Sequence, residues 1–183
     1  AGQAWHLIGA NGSGKTTLLQ TLGGLTAPAS GQVLWQGKSY AEWGDAVRLQ
    51  WHYCSHTDAL KSEWTLWENL VWQARLIGHR LKLDEVVPVI QPMRLLPLLH
   101  VPVSHFSKGQ QRRAALSILQ LHSRPLWLLD EPFSALDTQG AQLLVHWIDQ
   151  HCLKGGAVIF TTHQSYPDLS VPQQTLHLTP SVT

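Results

Sequence analysis

Short apolar runs alternate along this chain with segments whose apolar positions recur every three or four residues. Trp5-His6-Leu7-Ile8 predicts a strand that ends at Gly9. From Thr16 to Leu25, Leu18, Leu22 and Leu25 fall on one helical face. Thr26-Ala27-Pro28-Ala29-Ser30-Gly31 is turn chemistry, after which Gln32 to Gln36 predicts a second strand closed by Gly37-Lys38. Leu49 to Cys54 predicts a third. Leu126 to Leu129 is an uninterrupted apolar run that ends at Asp130-Glu131, as a strand buried on both faces does when acids stand at its carboxyl end. Ala157 to Thr161 repeats that pattern with His163 just beyond it, and Thr175 to Leu178 predicts a last short strand.

The stretches between these strands are helical in pattern. Thr65-Leu66-Trp67-Glu68 has the spacing of a capping box, and Trp67, Leu70, Val71 and Ala74 then share one face. Residues 82–100 continue as a helical region broken by Pro88, Pro92 and Pro97. Ser107-Lys108-Gly109-Gln110 opens a helix running to about His122. Gly140 to Cys152 carries Leu143, Leu144, Trp147 and Ile148 as its stripe, and Gly155-Gly156 ends it. The fold class is therefore α/β: a mainly parallel sheet flanked by helices, forming one domain over residues 1–183. Residues 57–122 lack the strand–helix–strand rhythm and are expected to form a helical subdomain inserted in that core. The chain opens directly at the strand feeding Gly9, so further N-terminal strands are expected to be missing.

Composition narrows the class. A chain of 183 residues with 44% hydrophobic content can bury a proper core. A net charge of +1, with no basic run, gives no pull toward nucleic acid. The two cysteines, Cys54 and Cys152, form no disulfide framework and point to a reducing compartment. No window approaches eighteen consecutive apolar residues, so no transmembrane helix is predicted and any membrane role runs through a partner. The eleven histidines include no haem-attachment or zinc-protease spacing.

The chemistry concentrates in Gly9-Ala10-Asn11-Gly12-Ser13-Gly14-Lys15-Thr16, which fits G-x-x-x-x-G-K-[ST] between a strand and a helix. The glycines let main-chain N–H groups face a phosphate chain, and the helix N-terminus adds its dipole. Lys15 can reach the β- and γ-phosphates, and the Thr16 hydroxyl can ligate Mg²⁺. Asp130 stands where a strand-end acid can hold the same Mg²⁺, directly or through water. Glu131 can polarise an attacking water as general base. His163 can hydrogen-bond both the γ-phosphate and that water; alternatively it is a surface histidine. For Asp130-Glu131 the alternative is a solvated turn before Pro132.

Together these segments resemble the ABC-type ATP-binding subunits over nearly the whole chain. Gly9–Thr16 resembles the Walker A motif, and Leu126–Glu131 the Walker B motif with its catalytic Glu. Phe106-Ser107-Lys108-Gly109-Gln110 is similar to the signature motif, Ser134-Ala135-Leu136-Asp137 to the D-loop, and His163 to the switch histidine. The resemblance implies an ATPase that uses ATP and Mg²⁺, with Lys15, Glu131 and His163 catalytic and Thr16 and Asp130 holding the metal. Gly9 through Thr17, including Ala10, Asn11, Gly12, Ser13 and Gly14, would bind nucleotide. Ser107, Gly109 and Gln110 would bind the nucleotide held by a second ATP-binding subunit, so a dimer is implied. The family's aromatic partner for adenine lies upstream of the P-loop, at a position expected to fall before Ala1.

The departures from the general pattern select within the family. His56 stands where a glutamine is usual, Phe106 and Lys108 replace Leu and Gly, and Gly155-Gly156 precedes Thr161-Thr162-His163-Gln164. With Asp58-Ala59-Leu60-Lys61, Glu68-Asn69-Leu70 and Gln111-Arg112-Arg113, this combination resembles the ATP-binding subunits of the cytochrome c maturation system. That resemblance implies haem export, or release of a haem-loaded chaperone, driven from the cytoplasmic face of the bacterial inner membrane. The subunit would be peripheral, bound through membrane-embedded transporter subunits, with Trp64, Trp67 and Trp72 near the contact. Another ABC importer or exporter, and a soluble or catalytically degenerate ABC module, are the competing readings. No N-K-x-D stretch supports a GTPase.

Overall fold

The computed structural model describes residues 1–179. The chain enters as strand β1 (Gln3–Ile8), passes through the glycine-rich loop and forms helix α1 (Lys15–Leu22). A hairpin follows, β2 (Leu34–Trp35) and β3 (Lys38–Ser39), then a single helical turn α2 (Tyr40–Trp43) and strand β4 (Trp51–Cys54). Helices α3 (Leu66–Arg75), α4 (Leu83–Ile90), α5 (Lys108–Leu116) and α6 (Ile118–Leu121) fill the path from β4 to β5 (Leu126–Leu129). Helix α7 (Thr138–Leu153), β6 (Ala157–Thr161) and β7 (Gln173–His177) complete the described chain. The main sheet has five strands in the order β4-β5-β6-β1-β7, and every neighbouring pair is parallel.

Strand β5 explains why the sheet is covered on both faces. All of its residues are buried, and its side chains alternate between two clusters. Leu126 and Leu128 join Leu7 of β1, Leu19 of α1, Val47 and Trp51. Trp127 and Leu129 join Val158 and Phe160 of β6, Leu144 and Ile148 of α7, and Leu66 and Leu70 of α3. Each fully buried leucine contributes roughly 1.5–3 kcal/mol relative to exposure. The apolar stripe expected on α7 behaves accordingly: Leu144, Trp147 and Ile148 are buried and Leu143 is half-buried.

Several boundaries differ from the hydrophobic pattern, each for a local reason. Helix α1 ends at Leu22 because the Gly23 N–H caps Leu19 and Gly24 turns into the left-handed region, leaving Leu25 63% exposed. The strand expected over Gln32–Gln36 shrinks to Leu34–Trp35 and pairs with Lys38–Ser39 outside the main sheet. Its turn places both Gln36 and Gly37 at positive φ, the two-residue geometry whose twist suits a hairpin. Residues Gly44–Leu49 form a 3₁₀ helix, so β4 starts only at Trp51. The helix from Ser107 divides at Ser117, whose hydroxyl donates back to the Arg113 carbonyl at 3.1 Å. The region 82–100 is α-helical only to Ile90, with Pro88 inside α4 removing one ladder bond, and then continues in turns and a 3₁₀ helix at Leu96–Leu98.

Caps fix where the helices begin. Thr65 Oγ1 accepts the Glu68 N–H while Glu68 Oε2 accepts the Thr65 N–H at 2.8 Å, completing the expected capping box of α3. Asn69, buried on the same helix, accepts from the Lys61 N–H and donates to the Lys61, Trp64 and Thr65 carbonyls, which ties the preceding loop to α3. Both cysteines are buried and free, and burial pushes each thiol up to about 11.

His52, on edge strand β4, is the most strongly shifted histidine. Its Nε2–H donates to the His122 carbonyl at 2.7 Å, and burial, aided by the Arg124 charge, lowers its pKa to about 4. The folded state therefore holds it neutral, while the unfolded chain protonates it near 6.5. The stabilisation is complete above that value and is lost as pH falls from 6.5 toward 4. Urea unfolding is expected to give a stability about 2 kcal/mol lower at pH 5 than at pH 7 from this residue. A His52→Gln variant should lose that part of the pH slope.

Candidate active site

Parallel strands place their carboxyl ends together, and four loops meet at that edge in the order set by the sheet. The loop after β4 carries His56, that after β5 carries Asp130 and Glu131, that after β6 carries His163, and that after β1 is the glycine-rich loop. Asp130 continues the ladder, its N–H donating to the Cys54 carbonyl at 2.8 Å.

The glycine-rich loop is shaped so that it admits no side chains at its tightest point. A Cβ on Gly9 would stand 2.5 Å from Ser13 Oγ and 2.6 Å from the Leu178 carbonyl. Gly12 and Gly14 adopt φ of 79° and 92°, which favour glycine. Gly14 caps α1 without any side-chain hydrogen bond, so the first N–H groups of the helix face the loop. Ser13 Oγ is buried and has no hydrogen-bond partner among the described residues. Lys15 is 9% exposed, and its ammonium donates to the Gly9 and Ala10 carbonyls at 2.8 and 3.1 Å. Free N–H groups, an orphan hydroxyl and a held ammonium fit the demands of a phosphate chain. Ala10, Asn11 and Thr17 are exposed around this cradle.

The acids are held from the neighbouring strand. Asp130 is 2% exposed; its Oδ2 accepts the Thr16 hydroxyl at 2.9 Å and its Oδ1 accepts the Thr161 hydroxyl at 2.8 Å. His56 Nδ1 stands 3.5 Å from the same Oδ2. An anionic oxygen beside a hydroxyl at the foot of the loop is a hard-oxygen pair suited to Mg²⁺. Glu131 takes a φ of 49°, a left-handed conformation that costs roughly 1–3 kcal/mol in a non-glycine residue. Its N–H donates to Thr161 Oγ1 at 3.0 Å, which helps hold it there. Its carboxylate faces His163: the His163 N–H donates to Oε2 at 3.2 Å, and Nε2 lies 3.6 Å from Oε1.

Thr16, Asp130, Glu131 and His163 are thus joined in one network reaching back to the loop of Lys15. Ser107, Gly109 and Gln110 are not: among the described residues no hydrogen bond links them to that network. Ser107 Oγ and Gln110 form a capping box at the start of α5, where Ser107 is exposed. A Cβ on Gly109 would meet the Ala135 carbonyl at 2.8 Å, so this helix start packs closely on the turn after Glu131. Lys108 is exposed and donates to Gln111 Oε1 at 3.2 Å. Asp137 caps α7 by accepting the Gly140 N–H at 2.8 Å.

The network also contains two residues to which pattern reading gave no role in the site. Thr161 bridges the two acids, and its sequence signals are a polar residue closing an apolar strand and its place just before Thr162-His163. Arg112, 3% exposed, lies behind them and donates to the carbonyls of Asp130 and Glu131 at 2.9 and 2.8 Å.

A phosphate cradle, an adjoining metal-type oxygen pair and an acid–histidine couple define a P-loop nucleoside triphosphatase. The ABC transporter family pattern matches residues 1–134, and the chain belongs to that family. It is 40% identical over 163 residues to the cytochrome c biogenesis ATP-binding export protein CcmA of Dechloromonas aromatica (strain RCB), covering 89% of this chain and 80% of that protein. The protein of the same name from Pasteurella multocida (strain Pm70) is 39% identical over 164 residues, covering 90% of this chain and 77% of that protein. A solved ATP-binding subunit of an ABC transporter superposes with a TM-score of 0.79 at 31% identity, covering 88% of this chain and 68% of that one. The chain is accordingly an ABC-type ATPase.

Thr161→Val keeps the side-chain shape and removes the hydroxyl that serves both acids. Stability is expected to fall by about 1–3 kcal/mol in denaturant unfolding, because buried Asp130 loses a partner. ATP turnover should fall about tenfold or more as Glu131 is released from its position.

Proposed function

We propose that this protein hydrolyses ATP as one half of a dimer, and so energises a membrane complex that serves haem delivery in cytochrome c biogenesis. The observation that carries the ATPase site is the joining of Thr16 to Asp130, and of Glu131 to His163, at one edge of the sheet. The cytochrome c assignment rests on the names of the relatives and on His56 standing where a glutamine is usual.

In this reading ATP lies with its phosphates along Gly9–Thr17 and its γ-phosphate near Lys15. Thr16 Oγ1 and Asp130 Oδ2 would hold Mg²⁺, which when bound neutralises charge on the β- and γ-phosphate oxygens. Glu131 accepts a proton from water as the water oxygen bonds to the γ-phosphorus. The bond from that phosphorus to the bridging oxygen breaks, and ADP leaves with the electron pair. His163 holds the Glu131 carboxylate in place and donates toward the γ-phosphate. Lys15 offsets the charge that develops on it. The Ser107–Gln110 helix start, exposed at Ser107 and Lys108, is assigned to the nucleotide of a second copy, in keeping with its separation from the network of its own chain.

Residues 57–122 are assigned as the helical subdomain, with the membrane partner docking beside them. Trp64, Trp67, Val71 and Trp72 line a recess of about 320 Å³ there, and Trp72 is 44% exposed. Tryptophans of this kind suit a protein contact. Among the described residues no helix is long and apolar enough to cross a membrane, so attachment through a partner at the inner-membrane face is the arrangement proposed.

Glu131→Gln is expected to retain ATP binding and to reduce hydrolysis by about a hundredfold or more. Unchanged turnover would remove Glu131 as base. A tagged protein drawn from its native membrane should bring down cytochrome c maturation membrane subunits. Recovery of an unrelated permease would keep the ATPase chemistry and overturn the haem role.

A further inference from the structure

One buried cation ties together loops that the ATPase reaction must coordinate. Arg112 of α5 uses all five of its N–H donors. Nη2 donates to the Asp130 and Glu131 carbonyls at 2.9 and 2.8 Å, and Nε to the Pro132 carbonyl at 3.3 Å. Nη1 donates to the Ser55 carbonyl at 2.8 Å and to Asp58 Oδ1 at 3.0 Å. The guanidinium therefore spans the turn carrying both acids and the loop that carries His56.

The two ends of this span differ in charge. On the side of the acids all acceptors are neutral carbonyls; on the far side stands a carboxylate. Asp58 is thus the one carboxylate among the hydrogen-bond partners of this buried cation, the other four being carbonyls. Asp58 lines a cleft of about 680 Å³ with Ser55, Arg112, Trp72 and Leu76. The Glu131 main chain is strained at a φ of 49°, and the Thr161 and Arg112 bonds grip it from its two sides.

We propose that Arg112 is a positioning residue, paired with Asp58, that holds the Asp130–Glu131 turn in its reactive shape. The inference rests on the ATPase reading of the site.

The test uses the full chain, with wild-type turnover measured first; absence of ATPase activity there would remove the underlying reading itself. Arg112→Lys keeps the charge but cannot span five acceptors from a three-donor ammonium. Its kcat is expected to fall about ten- to a hundredfold, with ATP affinity in a fluorescent-nucleotide titration within about threefold of wild type. Asp58→Asn keeps shape at a partly exposed position and carries the test if the first variant folds poorly. It should lower kcat about three- to tenfold at unchanged ATP affinity. With wild type active, unchanged kcat in both variants overturns the proposal. So does a parallel loss of kcat, ATP affinity and thermal stability, which marks a merely structural arginine.

Discussion

A carboxylate taken out of water must be given its hydrogen bonds by the protein, and Asp130 is the residue on which this fold meets that demand. It is 2% exposed and accepts hydroxyls from Thr16 and Thr161. Thr16 comes from the start of α1 and Thr161 from the end of β6, so one acid locks the phosphate loop, the strand beneath it and its own strand together. The arrangement depends on the sheet order, because β6 lies between β5 and β1 and its last residue, Thr161, stands beside the acids that follow β5.

Around that anchor the strained parts of the site are over-determined. Glu131 sits in the left-handed region, yet its N–H and its carbonyl are both occupied, by Thr161 and Arg112. Its carboxylate is left free to face His163. The aromatic packing behind supports the same turn: Phe133 stacks on Tyr166 with ring centres 4.9 Å apart, and Phe160 meets both edge-on. The acid-bearing and histidine-bearing loops thus share one aromatic backing.

Much of this is legible in the order of residues along the chain. The Gly9–Thr16 stretch carries its own mechanism, since its glycines answer a local steric demand, and the strand and helix flanking it follow from the hydrophobic pattern. Leu126–Leu129 and Ala157–Thr161 read as buried strands because burial on both faces leaves an unbroken apolar run. The capping boxes at Thr65 and Ser107 are equally local. Boundaries are less legible where competing local bonds decide them. Ser117 breaks a helix through a back-bond to Arg113, and Gln36-Gly37 draws an expected strand into a hairpin of two residues per arm.

By itself, then, the sequence determined the elements, the parallel α/β class and the residue types of the phosphate cradle, because each is governed by neighbours within a few positions along the chain. Only the tertiary structure decided which groups meet across it: Thr161 between the two acids, His56 beside Asp130, and Arg112 reaching both Asp58 and the turn at Glu131. No spacing rule joins residues so far apart. Their partnership follows from strand order and from the cost of leaving a buried charge without hydrogen bonds.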